Sequence, residues 1–288
     1  MSDILSIDVE DWYHILEVKT TPVFSEWQST ESRVERNFNY LLNIFDEHNI
    51  KVTCFFLGWI AQRYPHLVKE ASKRHHEIAS HGFSHQLIYT QTQKQFFDDI
   101  KNTKSILEDI CGEEVIGYRA PGFSITKKSI WALNLLAQAG YIYDSSIFPA
   151  RRGHGYLLNV EIRPFRIFLN NGNLFEFPIT VKTFLSTKLC FFGGGYLRLF
   201  PYCLIRAMAN KVAKENRPVI YYLHPRDLDV GQPRLKMPIG RKFKSYYHLS
   251  TTEYKIRKII SAGKFYTFKE YINTYANDIK YSRSTNQL

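Results

Sequence analysis

A chain of 288 residues, with 44% hydrophobic and 23% charged side chains, has the composition of a soluble globular protein and the length to bury a substantial core. Its apolar runs fall short of the roughly 18 residues of a transmembrane helix, and its N-terminus lacks the basic and apolar regions of a signal peptide. Residues 1–144 carry 14 basic and 19 acidic side chains, whereas residues 145–288 carry 24 and 8, a net charge of +16 that favours an anionic partner or a solvated basic surface.

Strand patterns alternate with amphipathic helical patterns over the first half of the chain. Short apolar runs are typical of buried strands, and apolar residues at helical spacing indicate amphipathic helices. The predicted strands are 4–9, 51–58, 76–82, 115–123 and 141–146, and the predicted helices are 31–47, 60–74, 91–110 and 127–139. This β-α-β-α repeat predicts a parallel sheet with helices outside, either a barrel or a doubly wound sheet.

The second half is less regular. A strand is predicted over 173–181, a helix over 201–216, a buried strand over 217–225 and a helix over 250–263. The glycine-rich stretch before residue 200 lacks the spacing of a phosphate-binding loop. The sequence contains no internal repeat and no low-complexity linker.

Polar residues cluster where the predicted strands end. They are Asp8, Glu10 and Asp11 on the first strand, His81 and His85 after the third, Arg119 on the fourth, Asp144 on the fifth and His224 on a later one. In a β/α barrel the carboxyl ends of the strands form the active face. Residues from separate units are therefore expected to meet in space.

The acids and histidines include the residue types of a metal site. Strand alternation places Asp8 and Glu10 on the same side, where a nearby cation would relieve the repulsion between their carboxylates. His81 and His85 stand four residues apart and can both point at one ion. The alternatives are a strand end that faces water and a pair of surface histidines.

Two further segments suit hydrolysis. Arg119 can pair with a carboxylate and fix its orientation, and the Pro121-Gly122 break frees backbone N–H groups that can stabilise an oxyanion. His224 follows an apolar strand and can act as a general acid. The simpler alternatives are an ordinary strand exit and a capping histidine.

Five segments together resemble one protein family. "SIDVED", "HEIASHGFSH", "GYRAPGFS", "YDSS" and "YYLHP" are similar, in content and order, to the motifs of polysaccharide deacetylases, the carbohydrate esterase family 4 with its NodB-homology domain. The tail is similar to a C-terminal extension of exopolysaccharide and O-antigen versions. The resemblance implies a distorted (β/α) barrel, TIM-like and seven-stranded, with helices outside. Residues 1–288 are then expected to form a single catalytic domain, with 227–288 as an integrated extension.

The resemblance also implies a reaction. The expected activity is removal of N-acetyl groups from a hexosamine in a polysaccharide or glycan precursor, by attack of a metal-bound water on the amide. Asp8 resembles the general base and Arg119 its partner, while His224 resembles the general acid. Gly122 occupies the position of an oxyanion donor.

The implied cofactor is a divalent metal, with zinc preferred over cobalt, nickel or manganese. His81 and His85 resemble two of its ligands. The family's two adjacent aspartates are replaced here by Asp-Val-Glu-Asp, so the third ligand is Glu10 or Asp11. Strand alternation favours Glu10, and a strand that curls at its end favours Asp11.

Candidate substrate-binding residues follow the same strand ends and the basic half of the chain. They are Phe123, Asp144, Arg151, Arg152 and Arg226. The arginines suit the phosphates of a lipid-linked or nucleotide-linked N-acetylated glycan precursor. No nucleic-acid-binding signature is present, so a nucleic-acid partner is not expected.

The four cysteines are scattered and form no CxxC pair, which indicates reduced thiols. Together with the missing signal peptide they predict a cytoplasmic protein, with peripheral association with the inner face of the membrane as an open alternative. Two rival functions are an allantoinase-like cyclic amide hydrolase on the same barrel and a non-catalytic module that binds an anionic glycan.

Overall fold

The computed structural model describes residues 2–153, 155–184 and 187–281. Within these residues nine strands form one curled sheet, and the helices lie outside it. The strands are β1 (Asp3–Val9), β2 (Thr53–Phe56), β3 (Glu77–Ser80), β4 (Gly117–Tyr118), β5 (Tyr143–Asp144), β6 (Phe165–Leu169), β7 (Gly172–Glu176), β8 (Val181–Phe184), β9 (Thr187–Cys190), β10 (Ile220–Leu223) and β11 (Phe265–Tyr266). The helices are α1 (Val34–Glu47), α2 (Gly58–Arg63), α3 (Pro65–Lys73), α4 (Gln93–Cys111), α5 (Ala132–Gln138), α6 (Gly194–Leu199), α7 (Tyr202–Ala213), α8 (Ile239–Tyr246), α9 (Thr252–Ile260) and α10 (Phe268–Tyr275).

The sheet is parallel over most of its width. Its order is β10-β1-β2-β3-β4-β5-β7-β6, with β11 paired to the start of β1, while β8 and β9 form a separate hairpin. Only β6 and β7 are antiparallel neighbours within the described part of this sheet. Because parallel strands point the same way, β10 and β1 to β5 all end at one edge.

Buried apolar side chains explain why the helices pack as a layer outside the sheet. β1 is buried along nearly its whole length, as is typical of a parallel strand covered on both faces. Phe38, Leu41 and Phe45 form one buried face of α1. The predicted helix 60–74 is two helices, α2 and α3, because the residue before Pro65 leaves the helical conformation.

The predicted distorted α/β barrel with outer helices is confirmed, although its sheet has nine strands and not seven. One strand that sequence reasoning missed is β6, which a two-residue turn at Asn170-Asn171 folds back on β7. The turn ends at Gly172, whose φ of 131° favours glycine. The described pairings leave β10 and β6 at the two ends of the strand order, so the sheet is an open half-barrel.

The C-terminal part returns to the start of the sheet. β11 pairs with Asp3 and Ile4 of β1, and Phe268 of α10 stacks on Tyr143 with ring centroids 5.1 Å apart. Residues 282–288 of the predicted extension lie outside the described residues. In the described part of the chain, every helix is too short or too polar to cross a bilayer.

Gly117 of β4 leaves room for the ring of Tyr143 on the neighbouring strand β5, because a Cβ on residue 117 would overlap that ring. We expect Gly117→Ala to lower the free energy of unfolding by about 1–3 kcal/mol through overpacking. Urea titration measures the change. Gly240→Ala is the matched control, since its Cβ would meet open space, and a similar loss there would contradict the steric explanation.

Candidate active site

Several of the strand-end residues line a cleft of about 300 Å³ at the carboxyl edge of the sheet, and others lie behind its wall. Each is placed by the end of a strand: Asp8 and Glu10 by β1, His81 by β3, Arg119 by β4 and His224 by β10. Of the residues singled out in the sequence, those that line the cleft are Asp8, Glu10, His85, Gly122, Phe123, Arg152, His224 and Arg226. The parallel topology thus brings distant segments to one site.

Asp8 and Arg119 form a buried ion pair. Arg119 Nη1 donates to Asp8 Oδ1 at 2.7 Å and to Ser6 Oγ at 2.8 Å, and its other nitrogens donate to Ser145. Its guanidinium carbon lies 4.2 Å from the centre of the Phe55 ring. These contacts fix the orientation of the Asp8 carboxylate, whose Oδ2 lies 3.9 Å from His224 Nε2.

Glu10, His81 and His85 form a cluster beside this pair. Glu10 Oε1 lies 3.1 Å from His81 Nε2 and 2.8 Å from His85 Nε2, and all three side chains are buried. Their ligand atoms lie within 4.8 Å of one another, as do those of Asp8, Glu10 and His224. Burial alone would raise the pKa of the Glu10 carboxyl, but the charges of His85 and His224 hold it well below its usual range.

The backbone aims both histidines at Glu10. The Arg119 carbonyl accepts a hydrogen bond from His81 Nδ1 at 2.7 Å, and because a carbonyl can only accept, the neutral ring keeps its lone pair on Nε2. His85 has φ 55°, a left-handed conformation that non-glycine residues rarely adopt and that clusters at functional sites. Both Nε2 atoms therefore meet the same carboxylate oxygen.

Asp11 is turned away from this cluster toward the start of α1. Its carboxylate accepts hydrogen bonds from Ser32 Oγ at 2.5 Å and from the backbone N–H groups of Arg33 and Val34 at 2.9 and 3.2 Å. It thereby caps a helix whose own N-cap side chain makes no capping bond. Of the two candidate third ligands, Glu10 is the one whose carboxylate meets both histidines.

His224 is held by Asp227, the third residue after it. Asp227 Oδ2 lies 3.1 Å from His224 Nδ1 and accepts from the His224 backbone N–H at 2.9 Å. Asp227 also pairs with the buried Arg198. Burial alone would lower the pKa of His224, but the charges of Asp227 and Glu10 raise it above its ordinary value. The two carboxylates thus shift His224 toward its protonated form.

Sequence reasoning missed both supports of His224. The three-residue spacing of His224 and Asp227 could have indicated their contact from the sequence. A carboxylate at the third position of a helical turn can accept a hydrogen bond from the backbone N–H of the residue that begins the turn. No such local signal marks Arg198, since it lies 29 residues from Asp227 and meets it only in the folded chain.

The loop after β4 forms one wall of the cleft. Gly122 and Phe123 both have left-handed backbones, with φ 59° and 52°. A Cβ on Gly155 would overlap the carbonyl oxygens of both, so only glycine lets that segment pack here. Arg152 covers the Phe123 and Phe148 rings at 5.4 and 4.7 Å. The backbone beside Gly122 is therefore fixed in place.

Asp144 and Arg151 do not line the cleft formed by the described residues. Asp144 is buried and accepts a hydrogen bond from the Ser146 hydroxyl, which accepts the Ala120 N–H at 2.7 Å. Burial raises the pKa of Asp144 to about 6. Asp144 thus supports the strand end that carries Arg119, whereas Arg151 is exposed to solvent.

The cleft also contains His14, which the sequence analysis did not single out. The Asp11 backbone N–H donates to His14 Nδ1 at 2.9 Å, so the neutral ring carries its proton on Nε2. Burial, more than the nearby His85, holds the pKa of His14 well below its usual value. Nε2 is buried and has no hydrogen-bond partner within the described ranges, which costs about 1–3 kcal/mol. A substrate oxygen in the cleft can supply that partner.

Comparison with known families covers most of the chain in two parts. Residues 27–143 match the polysaccharide deacetylase family, and residues 145–273 match DUF3473, a domain of unknown function. Residues 27–143 are a polysaccharide deacetylase domain. The family expected from the motifs is therefore confirmed. The two histidines of the cluster lie inside this domain, whereas β1 precedes both matched regions.

Curated relatives match parts of the chain. A peptidoglycan deacetylase of Helicobacter pylori is 27% identical over 37% of this chain and 36% of its own length. A peptidoglycan-N-acetylglucosamine deacetylase of Bacillus cereus is 29% identical over 32% of this chain and 34% of its own length. The aligned regions thus cover about a third of each of these relatives.

Solved structures share the fold over nearly the whole chain. A Mycobacterium smegmatis protein assigned as a polysaccharide deacetylase has a TM-score of 0.63 at 18% identity and covers 98% of this chain and 94% of its own. Puue allantoinase has a TM-score of 0.61 at 15% identity, with coverage of 95% and 89%. A CE4 family pseudoenzyme from Bacillus anthracis has a TM-score of 0.51 at 12% identity, with coverage of 98% and 66%. The fold is therefore shared by proteins that differ in activity.

The Glu10 cluster suits a divalent metal, and metal dependence is general in the deacetylase family. Two imidazole nitrogens and one carboxylate oxygen are donors that zinc accepts, and three protein ligands leave room for a water or substrate atom. His81 also has the outer hydrogen bond that orients metal-binding histidines. The donor set of these residues therefore fits the cofactor that the family implies.

Substitution of Glu10 and Asp11 by alanine separates the two candidate ligands. We expect Glu10→Ala to weaken zinc binding more than about tenfold, since loss of even an outer partner of a ligand costs about 10–100-fold. Asp11→Ala is expected to leave zinc affinity unchanged and to lower the free energy of unfolding by about 1–2 kcal/mol, because it removes the cap of α1. Competitive zinc titration and urea unfolding give the two readouts, and the reverse pattern would assign the metal to Asp11.

Proposed function

We propose that this protein is a metal-dependent hydrolase that removes N-acetyl groups from a hexosamine in a polysaccharide or glycan precursor. The observation that carries the proposal is the juxtaposition of Asp8, Glu10 and His224, whose ligand atoms lie within 4.8 Å of one another. A base, a cation site and an acid thus face the same space. The deacetylase domain over residues 27–143 supports this reaction class.

Glu10, His81 and His85 would hold the metal, for which we propose zinc. When bound there, it supplies Lewis-acid polarisation of the amide carbonyl and lowers the pKa of a water to about 7. The buried position of all three side chains limits exchange with bulk solvent. The two Nε2 atoms and Glu10 Oε1 form the face that the cation would meet.

The remaining residues move protons and hold the substrate. Asp8 accepts the proton of the attacking water, and Arg119 keeps its carboxylate in one orientation. His224 gives a proton to the departing amine nitrogen, because an unprotonated amine is a poor leaving group. We assign the Gly122 backbone N–H to the oxyanion that forms on the carbonyl oxygen.

The cleft suits an anionic substrate. Arg152, Arg226 and Arg241 line it, and Arg241 is anchored through a hydrogen bond to the Leu16 carbonyl at 2.7 Å. We propose that these arginines contact the phosphates of a lipid-linked or nucleotide-linked N-acetylated glycan. Phe123 would contact the sugar, and the exposed Arg151 would meet a longer glycan outside the cleft.

We further propose that residues 1–288 act as one catalytic domain in the cytoplasm, with 227–288 as an integrated extension. The pairing of β11 with β1 supports the single domain, since the extension adds a strand to the catalytic sheet. The free thiols of Cys54 and Cys190, both buried, support a reducing compartment. Peripheral attachment to the inner face of the membrane belongs to the same proposal.

Replacing the base tests the reaction directly. We expect Asp8→Asn to lower kcat/KM for acetate release from N-acetylglucosamine oligomers by about 10²–10⁴-fold, because the isosteric amide accepts from Arg119 but cannot take a proton. Asp98→Asn on the exposed side of α4 is the control.

A chelator is expected to abolish acetate release by the wild-type protein, and added zinc to restore it. Acetate release that survives both the chelator and Asp8→Asn would reject the mechanism. Hydrolysis of allantoin without acetate release would instead support the cyclic amide alternative.

The pKa of His224 sets the alkaline limb of the pH profile. Because the acid must be protonated, kcat/KM is expected to fall as pH rises through that pKa, which lies above the ordinary value of about 6.5. Asp227→Asn removes the largest charge that raises this pKa, so the limb should move to lower pH. Asp229→Asn is the control, and circular dichroism checks that each variant is folded, since Arg198 loses its partner in Asp227→Asn. An unmoved limb in folded Asp227→Asn would reject the assignment.

A further inference from the structure

Helix α8 has an apolar face that no described residue covers. Ile239 is 88% exposed and Phe243 is 48% exposed, and a spacing of four residues puts both on one side of the helix. Tyr247 extends this line by one turn, with its ring stacked on Phe243 at 4.2 Å. Exposed apolar residues are common singly, but a continuous stripe beside a cleft indicates an interaction surface.

The segment around α8 carries one sign of charge. Residues 230–252 contain five basic residues, two Arg and three Lys, and no Asp or Glu. Lys236, Lys242 and Lys244 of this segment are exposed. This surface is therefore complementary to a negatively charged partner.

The inner side of α8 is fixed to the rest of the site. Arg198 donates to the carbonyls of Lys244 and Ser245 at 2.9 and 3.2 Å, and Arg241 donates to that of Leu16. Tyr246 is buried, and its hydroxyl accepts from the Leu235 N–H at 3.0 Å. The helix cannot turn Ile239 inward without breaking these bonds, so its apolar face stays outward.

The same helix borders the mouth of the cleft. Phe243, Lys244 and Tyr247 line the cleft, whereas Ile239 and Lys242 do not. A broad surface in contact with Ile239 and Lys242 would therefore lie beside the opening through which a substrate enters.

We propose that the α8 surface, defined as Lys236, Ile239, Lys242 and Phe243, docks on a bilayer that contains anionic phospholipids. The apolar side chains would enter the boundary between headgroups and acyl chains, and the lysines would meet the lipid phosphates. This inference rests on the proposed function and extends it, because docking would hold the cleft at the surface that carries a lipid-linked glycan.

A soluble anionic polysaccharide is the rival occupant. It would explain the lysines, and the ring of Phe243 offers a face on which a sugar can stack. It gives no role to Ile239, which has no ring and is the most exposed large apolar residue of the described chain. A bilayer accounts for the isoleucine, the phenylalanine and the lysines together.

Co-sedimentation of the full chain with vesicles tests the proposal. Wild type is expected to bind vesicles of phosphatidylcholine mixed with phosphatidylglycerol, and not vesicles of phosphatidylcholine alone. Ile239→Glu combined with Lys242→Glu should lower the partition coefficient at least about tenfold, since the variant loses one apolar anchor and one cation and the two glutamates add repulsion. The matched control is Phe184→Glu with Lys188→Glu on the β8-β9 hairpin, where Phe184 is 59% exposed.

Three outcomes would overturn the inference. They are no binding of wild type to the mixed vesicles, equal binding to both vesicle types, and unchanged binding by the double variant. Loss by that variant of binding to a soluble anionic polysaccharide, with vesicle binding retained, would assign the surface to the rival.

Deacetylation is a separate readout. Ile239 and Lys242 lie outside the cleft, so turnover of a water-soluble N-acetylglucosamine oligomer should be the same in the double variant as in wild type. Vesicle binding is measured without substrate. Failure of vesicle binding is therefore distinguishable from failure of the proposed deacetylation.

Discussion

The buried ion pair between Arg119 and Asp8 is the interaction on which the site depends. Arg119 is fully buried at the end of β4, and its donors reach Ser6 and Asp8 of β1 and Ser145 after β5. Its backbone carbonyl accepts from His81 after β3. A buried arginine is tolerated only when its charge and donors are satisfied, so one side chain sets the relative positions of several strand ends.

A second buried pair, Arg198 with Asp227, serves the opposite side of the cleft. Arg119 orients the carboxylate of Asp8, the proposed base, while Asp227 raises the pKa of His224, the proposed acid. Asp8 Oδ2 and His224 Nε2 lie 3.9 Å apart, so the proposed base and the proposed acid face the same space. Arg198, His224 and Asp227 all lie in the DUF3473 region, so the deacetylase match alone does not contain all the residues around the cleft.

The two matched regions are joined by the sheet. β10 pairs with β1, and Ser6 donates to the Tyr221 carbonyl at 3.0 Å across 215 residues of sequence. That register places His224 opposite the end of β1, where Asp8 and Glu10 lie. α8 is then held against Arg198, so the surface that carries Ile239 is attached to the acid side of the cleft.

The sequence by itself determined the alternation of strands and helices, the family, and the strand ends at which Asp8, His81, Arg119 and His224 stand. These features are local, because hydrophobic periodicity, turn residues and short motifs each depend on only a few neighbouring positions in the sequence. Only the tertiary structure shows that Glu10 contacts both histidines while Asp11 caps α1, since these contacts depend on where the start of α1 lies. It also decided the pairing of Arg198 with Asp227, 29 residues away, and the burial of His14 and Asp144, which depends on the segments packed around them. Hydrogen bonds and ion pairs between separate segments exist only once the chain is folded, so no pattern within one segment could have indicated them.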